Sequence, residues 1–221
     1  MPHILPLKAI TPVTHDVHHF KLPKPEGYSF TPGQATEVAI NRGDWKREKR
    51  PFTFTSLPDW DHLEFTIKSY PDHNGVTEEL SRLHVEDELI LDDPWGTIEY
   101  KGPGTFIAGG AGVTPFIAIL RSLKDKGDLD GHRLIFANKT EADIILRDEW
   151  DKMPGLEVIH IVSDDETSNL PQGFVDREFL EERIGDFSQH FYVCGPEPMQ
   201  KSVMSALEDL GADPEALVFE K

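Results

Sequence analysis

Hydrophobic and polar positions divide the chain into two halves with different predicted structures. In the first half, short apolar or alternating segments are separated by Pro, Gly and Asp, which is typical of strands joined by turns. Six strands are predicted, at His3–Ile10, Val13–Leu22, Ala35–Ile40, Pro51–Ser56, Leu63–Ser69 and Glu88–Leu91. Strands of this length and spacing predict a small antiparallel barrel or sandwich. One helix is predicted from Val76 to Arg82, with Asn74 as a candidate cap.

The second half alternates buried strands with amphipathic helices. The predicted strands are Thr105–Ala108, Arg133–Ala137, Glu157–Val162, His190–Val193 and Leu217–Phe219. The predicted helices are Pro115–Lys124, Ile144–Lys152, Asp176–Arg183 and Glu197–Leu210. This alternation predicts a parallel sheet covered on both faces by helices. Ligands of such sheets bind beyond the carboxyl ends of the strands, so Gly109–Gly112 and Cys194–Pro196, which both follow strands, could line one crevice. We place the boundary between the halves in Lys101–Gly104, and we expect one domain over residues 1–102 and a second over 103–221.

The segment Thr105–Leu120 predicts a strand, a tight turn and the start of a helix. The turn contains three glycines, Gly109, Gly110 and Gly112. Glycine lets the backbone turn sharply and approach a ligand, and the free N–H groups of a helix N-terminus favour a phosphate. The usual acidic ribose ligand is missing, because Asn138 and Lys139 follow the next strand. Two readings remain open: a nucleotide site unlike that of ordinary dehydrogenases, or a plain turn before a core helix.

Charge and composition exclude several classes of protein. The 221 residues include 22 basic and 40 acidic side chains, a net charge of −18, which argues against nucleic-acid and anionic-membrane binding. The most apolar stretch, Phe106–Leu120, is interrupted by glycines and a proline and falls short of the ~20 residues of a membrane span. No signal peptide is visible, so we expect a soluble, cytoplasmic protein. The single cysteine, Cys194, excludes an internal disulfide and a cluster held by four thiolates.

The heptapeptide RPFTFTS forms or begins a predicted strand at Arg50–Ser56. Alternation gives two faces, Phe52, Phe54 and Ser56 on one and Pro51, Thr53 and Thr55 on the other. One face would offer an aromatic surface and the other hydroxyl groups, while Arg50 could hold a phosphate. An ordinary strand with a core phenylalanine explains the heptapeptide equally well.

Four motifs, in this order, resemble the ferredoxin–NADP reductase-like flavoenzymes. They are Arg50, Phe52, Thr53 and Ser56; Gly75 and Thr77; Gly109 to Pro115; and Cys194-Gly195-Pro196. The resemblance covers nearly the whole chain and is closest to the flavodoxin reductase and flavin reductase branch, which lacks a fused iron–sulfur domain. It implies a two-domain fold, in which an FAD-binding antiparallel β-barrel precedes a parallel-sheet α/β domain that binds a nicotinamide nucleotide.

The same resemblance implies roles for residues around the flavin. Arg50 would contact the flavin phosphates, Phe52 would lie against the isoalloxazine ring, and Thr53 would place its hydroxyl near flavin N5. The other implied flavin-site residues are Pro51, Ser56, Lys68, Gly75, Val76 and Thr77. Of these, the last three would present backbone N–H groups and a hydroxyl to the pyrophosphate.

Further roles are implied for the nicotinamide nucleotide and the reaction centre. The pyrophosphate would bind the turn formed by Gly110, Gly112, Val113, Thr114 and Pro115. Cys194, followed by Gly195 and Pro196, would lie beside the nicotinamide C4, although a plain core cysteine is the alternative. Phe219 would stack on the flavin or be buried in the last strand, and Glu220 would help to deliver a proton.

Acidic residues after the third strand of the second half bear on the choice of nucleotide. Related NADP enzymes carry a Ser-Arg pair here, whereas this chain continues Ser163-Asp164-Asp165-Glu166. Carboxylates repel a 2′-phosphate and accept hydrogen bonds from ribose hydroxyls. We therefore expect NADH to be preferred, with Asp164 at the ribose. Lys139 could still bind a 2′-phosphate, so NADPH remains the alternative nucleotide.

These observations predict an FAD-dependent NAD(P)H oxidoreductase that passes electrons to flavodoxin, ferredoxin or another acceptor. The alternatives are a flavin reductase with diffusible flavin and a non-catalytic nucleotide-binding electron-transfer subunit; FMN could also replace FAD. No metal site is expected, because no Cys or closely spaced acid completes a set with His15, His18 and His19. The basic run Lys46, Arg47, Lys49 and Arg50 would either guide an acidic partner or form a solvated loop.

Overall fold

The first half of the chain forms two antiparallel sheets that share one core. In the computed structural model, which describes residues 2–70, 74–96 and 98–219, one sheet has the order β1-β7-β4-β5 with β8 also on β4, and the other β2-β3-β6. The strands are β1 His3–Pro6, β2 Ala9–Pro12, β3 Val17–Pro23, β4 Gln34–Ile40, β5 Arg50–Thr53, β6 His62–Lys68, β7 Glu88–Leu91 and β8 Trp95–Gly96. A bridge between Phe54 and Phe65 joins the sheets into a small barrel. Large side chains such as Phe20 fill it.

Three predicted strands of the barrel differ from the observed ones, and one of them, Val13–Leu22, begins only at Val17. The predicted strand His3–Ile10 is split, because fully buried Leu7 donates its N–H to Asp87 in one sheet and the next residue, Lys8, donates to Lys21 in the other. β5 ends at Thr53 rather than Ser56. The three residues that follow are all buried, so the predicted two-face alternation is wrong beyond Thr53.

The barrel helix α1 covers Val76–Leu80 and is shorter than predicted. Asn74 is not its cap. The N-cap is Gly75, and Asn74 adopts a left-handed φ of 47°. The backbone N–H of Asn74 instead donates to the Glu78 carboxylate at 2.9 Å, so a side chain from inside the helix reaches back to the entering chain.

The second half is a five-stranded parallel sheet with the order β11-β10-β9-β12-β13. Its strands are β9 Gly104–Gly109, β10 His132–Asn138, β11 Leu156–Val162, β12 His190–Cys194 and β13 Leu217–Phe219. Its helices are α2 Thr114–Lys126, α3 Arg147–Asp151, α4 Arg177–Arg183 and α5 Glu197–Asp209. α2 and α3 cover one face, and α4 and α5 cover the other. The strand order reverses between β9 and β12, and ligands of such sheets bind at this switch point, beyond the carboxyl ends of the strands.

The α3 helix is the largest departure from prediction in this half. It begins at Arg147, because Leu146 has a left-handed φ of 56° and Ile144 is extended. Short 3₁₀ turns lie at Gly43–Arg47, Gly110–Val113, Glu141–Asp143 and Pro214–Ala216. Among the described residues, every helix is too short or too polar to cross a membrane.

Candidate active site

A glycine turn and the end of β12 meet at the switch point of the sheet. β9 pairs with β12, with Ala108 opposite Cys194, so the two strands end side by side. A Cβ on Gly112 would lie 2.4 Å from the Cys194 carbonyl oxygen, and one on Gly195 would lie 3.1 Å from the Gly109 Cα. The structure therefore brings Gly109–Gly112 and Gly195 together, as expected for one crevice.

Gly112 and Gly110 are glycines for different structural reasons. Gly112 has no room for a side chain because the backbone at Cys194 is already in contact, so its need for glycine comes from the protein itself. Gly110 has a left-handed φ of 52°, and a Cβ there would meet nothing within 4 Å. Gly110 is thus the glycine that borders open space.

The start of α2 completes the glycine turn. Val113 and Pro115 are buried beneath it, and the Thr114 hydroxyl donates to the Ala111 carbonyl at 2.9 Å. α2 begins at Thr114, so Pro115 lies in its first turn rather than at its first position. The Thr114 N–H also donates to the Ala111 carbonyl and Pro115 has no N–H, so what the start of this 13-residue helix offers a ligand is chiefly the positive end of its dipole.

Cys194 lies at the carboxyl end of β12 and is 3% exposed, within the core formed by α2 and β9. Pro196 follows as the N-cap of α5. Phe219 ends β13, pairs with Val193 and is half-buried. Glu220, predicted at the reaction centre, lies outside the described residues.

Asn138 is a candidate site residue that sequence analysis did not select. It ends β10, one residue beyond the pairing of Ala137 with Gly109, and is 8% exposed. Neither atom of its side-chain amide has a hydrogen-bond partner among the residues that the structure describes. Because buried amides normally have partners, this one suits a polar ligand. The available signal was a polar residue at the end of an apolar strand, which sequence analysis used only as evidence of a missing acid.

Of the three carboxylates in the acidic segment after β11, Asp165 is hydrogen-bonded within the protein, whereas Asp164 and Glu166 are exposed. Asp165 accepts from the Glu141 N–H at 3.0 Å and from the Thr167 hydroxyl at 2.8 Å. The Glu141 bond, followed by that of Thr167, holds the pKa of Asp165 below its usual value. Asp164 and Glu166 are exposed, and the Asp164 N–H donates to the Lys139 carbonyl at 2.8 Å.

Phe174 lies near this acidic segment with its ring 73% exposed. The Gly173 N–H donates to the Val162 carbonyl at 2.8 Å, which fixes the loop of Phe174 beside the end of β11. A bare sequence does not distinguish an exposed phenylalanine from a core one, so this residue was missed.

In the barrel, β5 presents different side chains on its two faces. Phe52 pairs with Thr36 and packs partly on the barrel core, whereas Thr53 pairs with Ala35 and is 7% exposed. Pro51 is exposed. The exposed Arg50 guanidinium donates to its neighbour's carbonyl and lies 3.9 Å from Glu48, so within the described part of the chain most of its donors have no acceptor.

Ser56 and Thr55 hold the end of this segment to β6. The Ser56 hydroxyl accepts from the Glu64 N–H at 3.0 Å, and Ser56 is fully buried. The Thr55 N–H donates to the Glu64 carbonyl at 2.8 Å, and its hydroxyl donates to the Glu64 carboxylate at 3.1 Å. These bonds account for Ser56 without any ligand.

The remaining flavin-site candidates lie around β6 and α1. Lys68 ends β6 and pairs with Asp16 at 2.9 Å. Burial would raise the pKa of Asp16, but hydrogen bonds from Lys68 and Thr14 outweigh burial and lower it. Gly75 caps α1 with extended backbone, Val76 is buried and Thr77 is half-buried.

The structure corrects one step of the metal argument, since His15 does have acidic neighbours. Its Nε2 lies 3.6 Å from Asp16 and 3.8 Å from Asp143, which comes from the second half of the chain. Both carboxylates already accept hydrogen bonds, Asp16 from Lys68 and Asp143 from Thr140, and His15 is exposed. The two carboxylates thus have partners within the protein, and His15 lies between one carboxylate from each half of the chain.

Comparisons with known proteins agree with this architecture. A model of the oxidoreductase FAD-binding domain matches residues 4–100, and one of the oxidoreductase NAD-binding domain matches residues 106–205. The chain therefore belongs to the ferredoxin–NADP reductase-like family of flavin-dependent oxidoreductases, and its cofactors are FAD and a nicotinamide nucleotide.

Individual relatives and one solved structure resemble most of this chain. NADH-cytochrome b5 reductase 1 of Aspergillus terreus is 31% identical over 228 residues, covering 93% of this chain and 76% of that protein. The electron transfer component of a Burkholderia cepacia 2-halobenzoate 1,2-dioxygenase is 25% identical over 201 residues, and the match covers 87% of this chain but only 58% of that protein. The CS and b5R domains of human Ncb5or, in an NAD⁺ form, match with a TM-score of 0.85 and 26% identity, covering 100% of this chain and 70% of that chain.

Proposed function

We propose that this protein takes a hydride from NADH onto FAD and passes the electrons to a redox protein. The observation that carries the proposal is the switch-point crevice, where the glycine turn lies against Cys194, and Asn138 ends the neighbouring strand β10 one residue beyond the Ala137–Gly109 pair. When bound, FAD accepts a hydride at N5 and can release electrons singly. The protein's part is to bind both cofactors, align their rings and exclude water.

On the barrel side, we assign Arg50 to the flavin phosphates, since its guanidinium is exposed and largely without acceptors. Phe52 and Thr53 are assigned to the ring, and the Thr53 hydroxyl to N5. Gly75, Val76 and Thr77 offer backbone N–H groups at the start of α1, which have no intrahelical acceptors. Ser56 is assigned to holding the end of the β5 segment against β6. Lys68 would have to leave its ion pair with Asp16 to contact the cofactor.

On the α/β side, Gly110, Gly112, Val113, Thr114 and Pro115 are assigned to the nucleotide pyrophosphate. Gly110 supports this role, because open space surrounds it. Cys194, with Gly195 and Pro196, is assigned to the nicotinamide, and Asn138 to a hydrogen bond with its polar groups. Roles for Phe219 and Glu220 stay predictions. We also propose the domain division at residues 102 and 103.

NADH preference is supported by the exposed Asp164 carboxylate beside the end of β11. A carboxylate there accepts hydrogen bonds from ribose hydroxyls and repels a 2′-phosphate. Phe174 adds an exposed aromatic surface suited to stacking on the adenine. The name of the A. terreus relative, an NADH-cytochrome b5 reductase, agrees with this choice.

The proposed acceptor is a one-electron redox protein. The names of the relatives include a cytochrome b5 reductase and a dioxygenase electron transfer component, so the class is wider than flavodoxin and ferredoxin. Lys46 and Arg47 are exposed on the loop between β4 and β5 and are suited to attracting an acidic partner. A flavin reductase is the second candidate, and it is favoured if Phe219, half-buried at the end of β13, does not stack on the flavin and so leaves one face of the ring open.

An anaerobic titration tests the proposal. FAD-loaded protein is mixed with NADH or NADPH while the visible spectrum is recorded. We expect rapid bleaching by NADH and slow bleaching by NADPH. Faster bleaching by NADPH would overturn the nucleotide preference, and protein that retains no FAD but reduces added flavin would favour the flavin reductase. Bound flavin that NADH does not bleach would contradict both.

A further inference from the structure

Arg121 of α2 connects the two halves of the molecule through a nearly enclosed guanidinium, whose side chain is 12% exposed. Its Nε and Nη2 donate to the two carboxylate oxygens of Glu149, at 2.7 and 2.8 Å, within its own half. Its Nη1 donates to the Thr55 carbonyl at 2.7 Å and to the Glu64 carboxylate at 2.9 Å, both in the barrel. The fork to Glu149 fixes the plane of the guanidinium, so the barrel contacts have a defined direction.

The barrel end of this connection is itself firmly held. Glu64 is 4% exposed and its carboxylate also accepts from the Thr55 hydroxyl. Burial would raise the pKa of Glu64, but His19 when protonated, together with the charge and hydrogen bond of Arg121, outweighs burial and lowers it, so the carboxylate is charged at neutral pH. Arg121 therefore contacts a segment that has little freedom to adjust.

Arg121 and its barrel partner Thr55 lie only a few residues along the chain from the residues assigned to the two cofactors. Thr53 is two residues before Thr55, about 7 Å along an extended chain. Thr114 is seven residues before Arg121, about 10 Å along the same helix. Arg121 thus closes a short path from the residue assigned to the flavin ring to the turn assigned to the nicotinamide nucleotide.

We infer that Arg121 is a positioning residue for hydride transfer, setting the distance between the flavin-binding strand end at Thr53 and the nucleotide-binding turn at Thr114. The inference rests on the proposed function. Misplacement by about 1 Å costs a transfer reaction on the order of a hundredfold, so even small relaxation of this connection is measurable. Lysine at this position keeps the charge but cannot form the fork to Glu149 while holding both barrel acceptors.

The test compares Arg121→Lys with the wild type, both loaded with FAD. We expect the limiting rate of flavin reduction by NADH to fall about tenfold to a hundredfold, while FAD occupancy and the NADH concentration for half-saturation change by less than about twofold. Two readouts do not depend on turnover. The long-wavelength charge-transfer absorbance of the flavin with bound NAD⁺ should weaken, and amide exchange at Thr55 and Glu64 should quicken without nucleotide.

Arg133→Lys is the matched control, because Arg133 pairs with Glu157 at 2.7 Å wholly within the α/β half. Its rate and absorbance should equal those of the wild type. Should Arg121→Lys fail to fold, Glu149→Gln weakens the same fork and should give a smaller change in the same direction.

Equal reduction rates and charge-transfer absorbance in the wild type and Arg121→Lys would overturn this inference alone. Loss of FAD or of NADH affinity in step with the rate, in both Arg121→Lys and Glu149→Gln, would also overturn it, because the residue would then be only structural. A wild type that NADH does not bleach would overturn the proposed function and this inference with it.

Discussion

The glycine turn of the α/β half and the β5 segment of the barrel are built on different physical principles. The turn is fixed by backbone contact, since a Cβ on Gly112 would lie 2.4 Å from the Cys194 carbonyl oxygen. The barrel segment is fixed by polar side chains, through Thr55, Ser56 and Glu64, and by Arg121 from the other half. A steric contact fails completely when one atom is added, whereas a segment held by several hydrogen bonds loses them one at a time. We therefore expect abrupt effects of substitution in the turn and graded effects in the barrel.

Gly112→Ala should give the largest effect and would break the turn outright. Because the added methyl meets backbone on a neighbouring strand end, we expect a loss of about 3 kcal/mol or more in the free energy of unfolding, or no folded protein. Urea denaturation measures this. Gly110→Ala is the matched comparison: its methyl meets nothing, and only its left-handed φ costs about 1–2 kcal/mol. Equal losses in the two variants would contradict the steric explanation.

Glu64→Gln should weaken the barrel segment by a smaller amount, about 2 kcal/mol at pH 7, since Arg121 keeps its fork to Glu149. The pKa of Glu64 is lowered from 4.5 on folding. Its charge therefore stabilises the protein above about pH 4.5, and this stabilisation is lost as the pH falls through the folded-state pKa.

The urea midpoints of wild type and Glu64→Gln should accordingly differ at pH 7 and converge in acid. Glu157→Gln, at an ion pair whose carboxylate is 55% exposed, is the control and should change stability by less than about 0.5 kcal/mol. A difference that persists unchanged down to pH 3 would show that the carboxylate charge is not the cause.

Asp164→Arg extends the comparison to the exposed residue after β11 that is proposed to select the nucleotide. We expect the ratio of NADH to NADPH efficiency to fall on the order of tenfold or more, because a repelling charge is replaced by a phosphate ligand. Steady-state kinetics with both nucleotides measures it. Glu181→Arg makes the same charge change on exposed α4 and should leave the ratio unaltered. An unchanged ratio for Asp164→Arg would show that Asp164 does not contact the ribose.

Thr53→Ala should have the smallest effect, slowing flavin reduction about tenfold while FAD binding changes less, because one hydrogen bond is lost. Stopped-flow reduction by NADH and FAD titration measure the two quantities. Thr77→Ala, at the proposed pyrophosphate, is the contrasting variant and should weaken FAD binding more than it slows reduction. An unchanged rate in Thr53→Ala would refute its assignment to N5.

Local patterns in the sequence determined much of the fold. Strands β7 and β13 were predicted to the residue, and the alternation of strands and helices predicted the parallel sheet. Boundaries failed where single residues depart from the regular backbone, as Leu146 does before α3. The residues expected at one crevice, Gly109–Gly112 and Cys194, do meet, because strand ends of a parallel sheet lie at one edge.

What the sequence by itself determined is therefore the class of fold, the order of the motifs and the edge of the sheet where they gather, since periodicity and turn chemistry are local. Only the tertiary structure decided which side chains remain available. It buried the Asn138 amide with no hydrogen-bond partner among the described residues. It gave Asp165 and Ser56 hydrogen bonds within the protein, and it left the Asp164 side chain exposed. It also joined Arg121 to Thr55 and Glu64, which are 66 and 57 residues away. Contacts at such separations depend on how the two halves pack, and no local pattern encodes that packing.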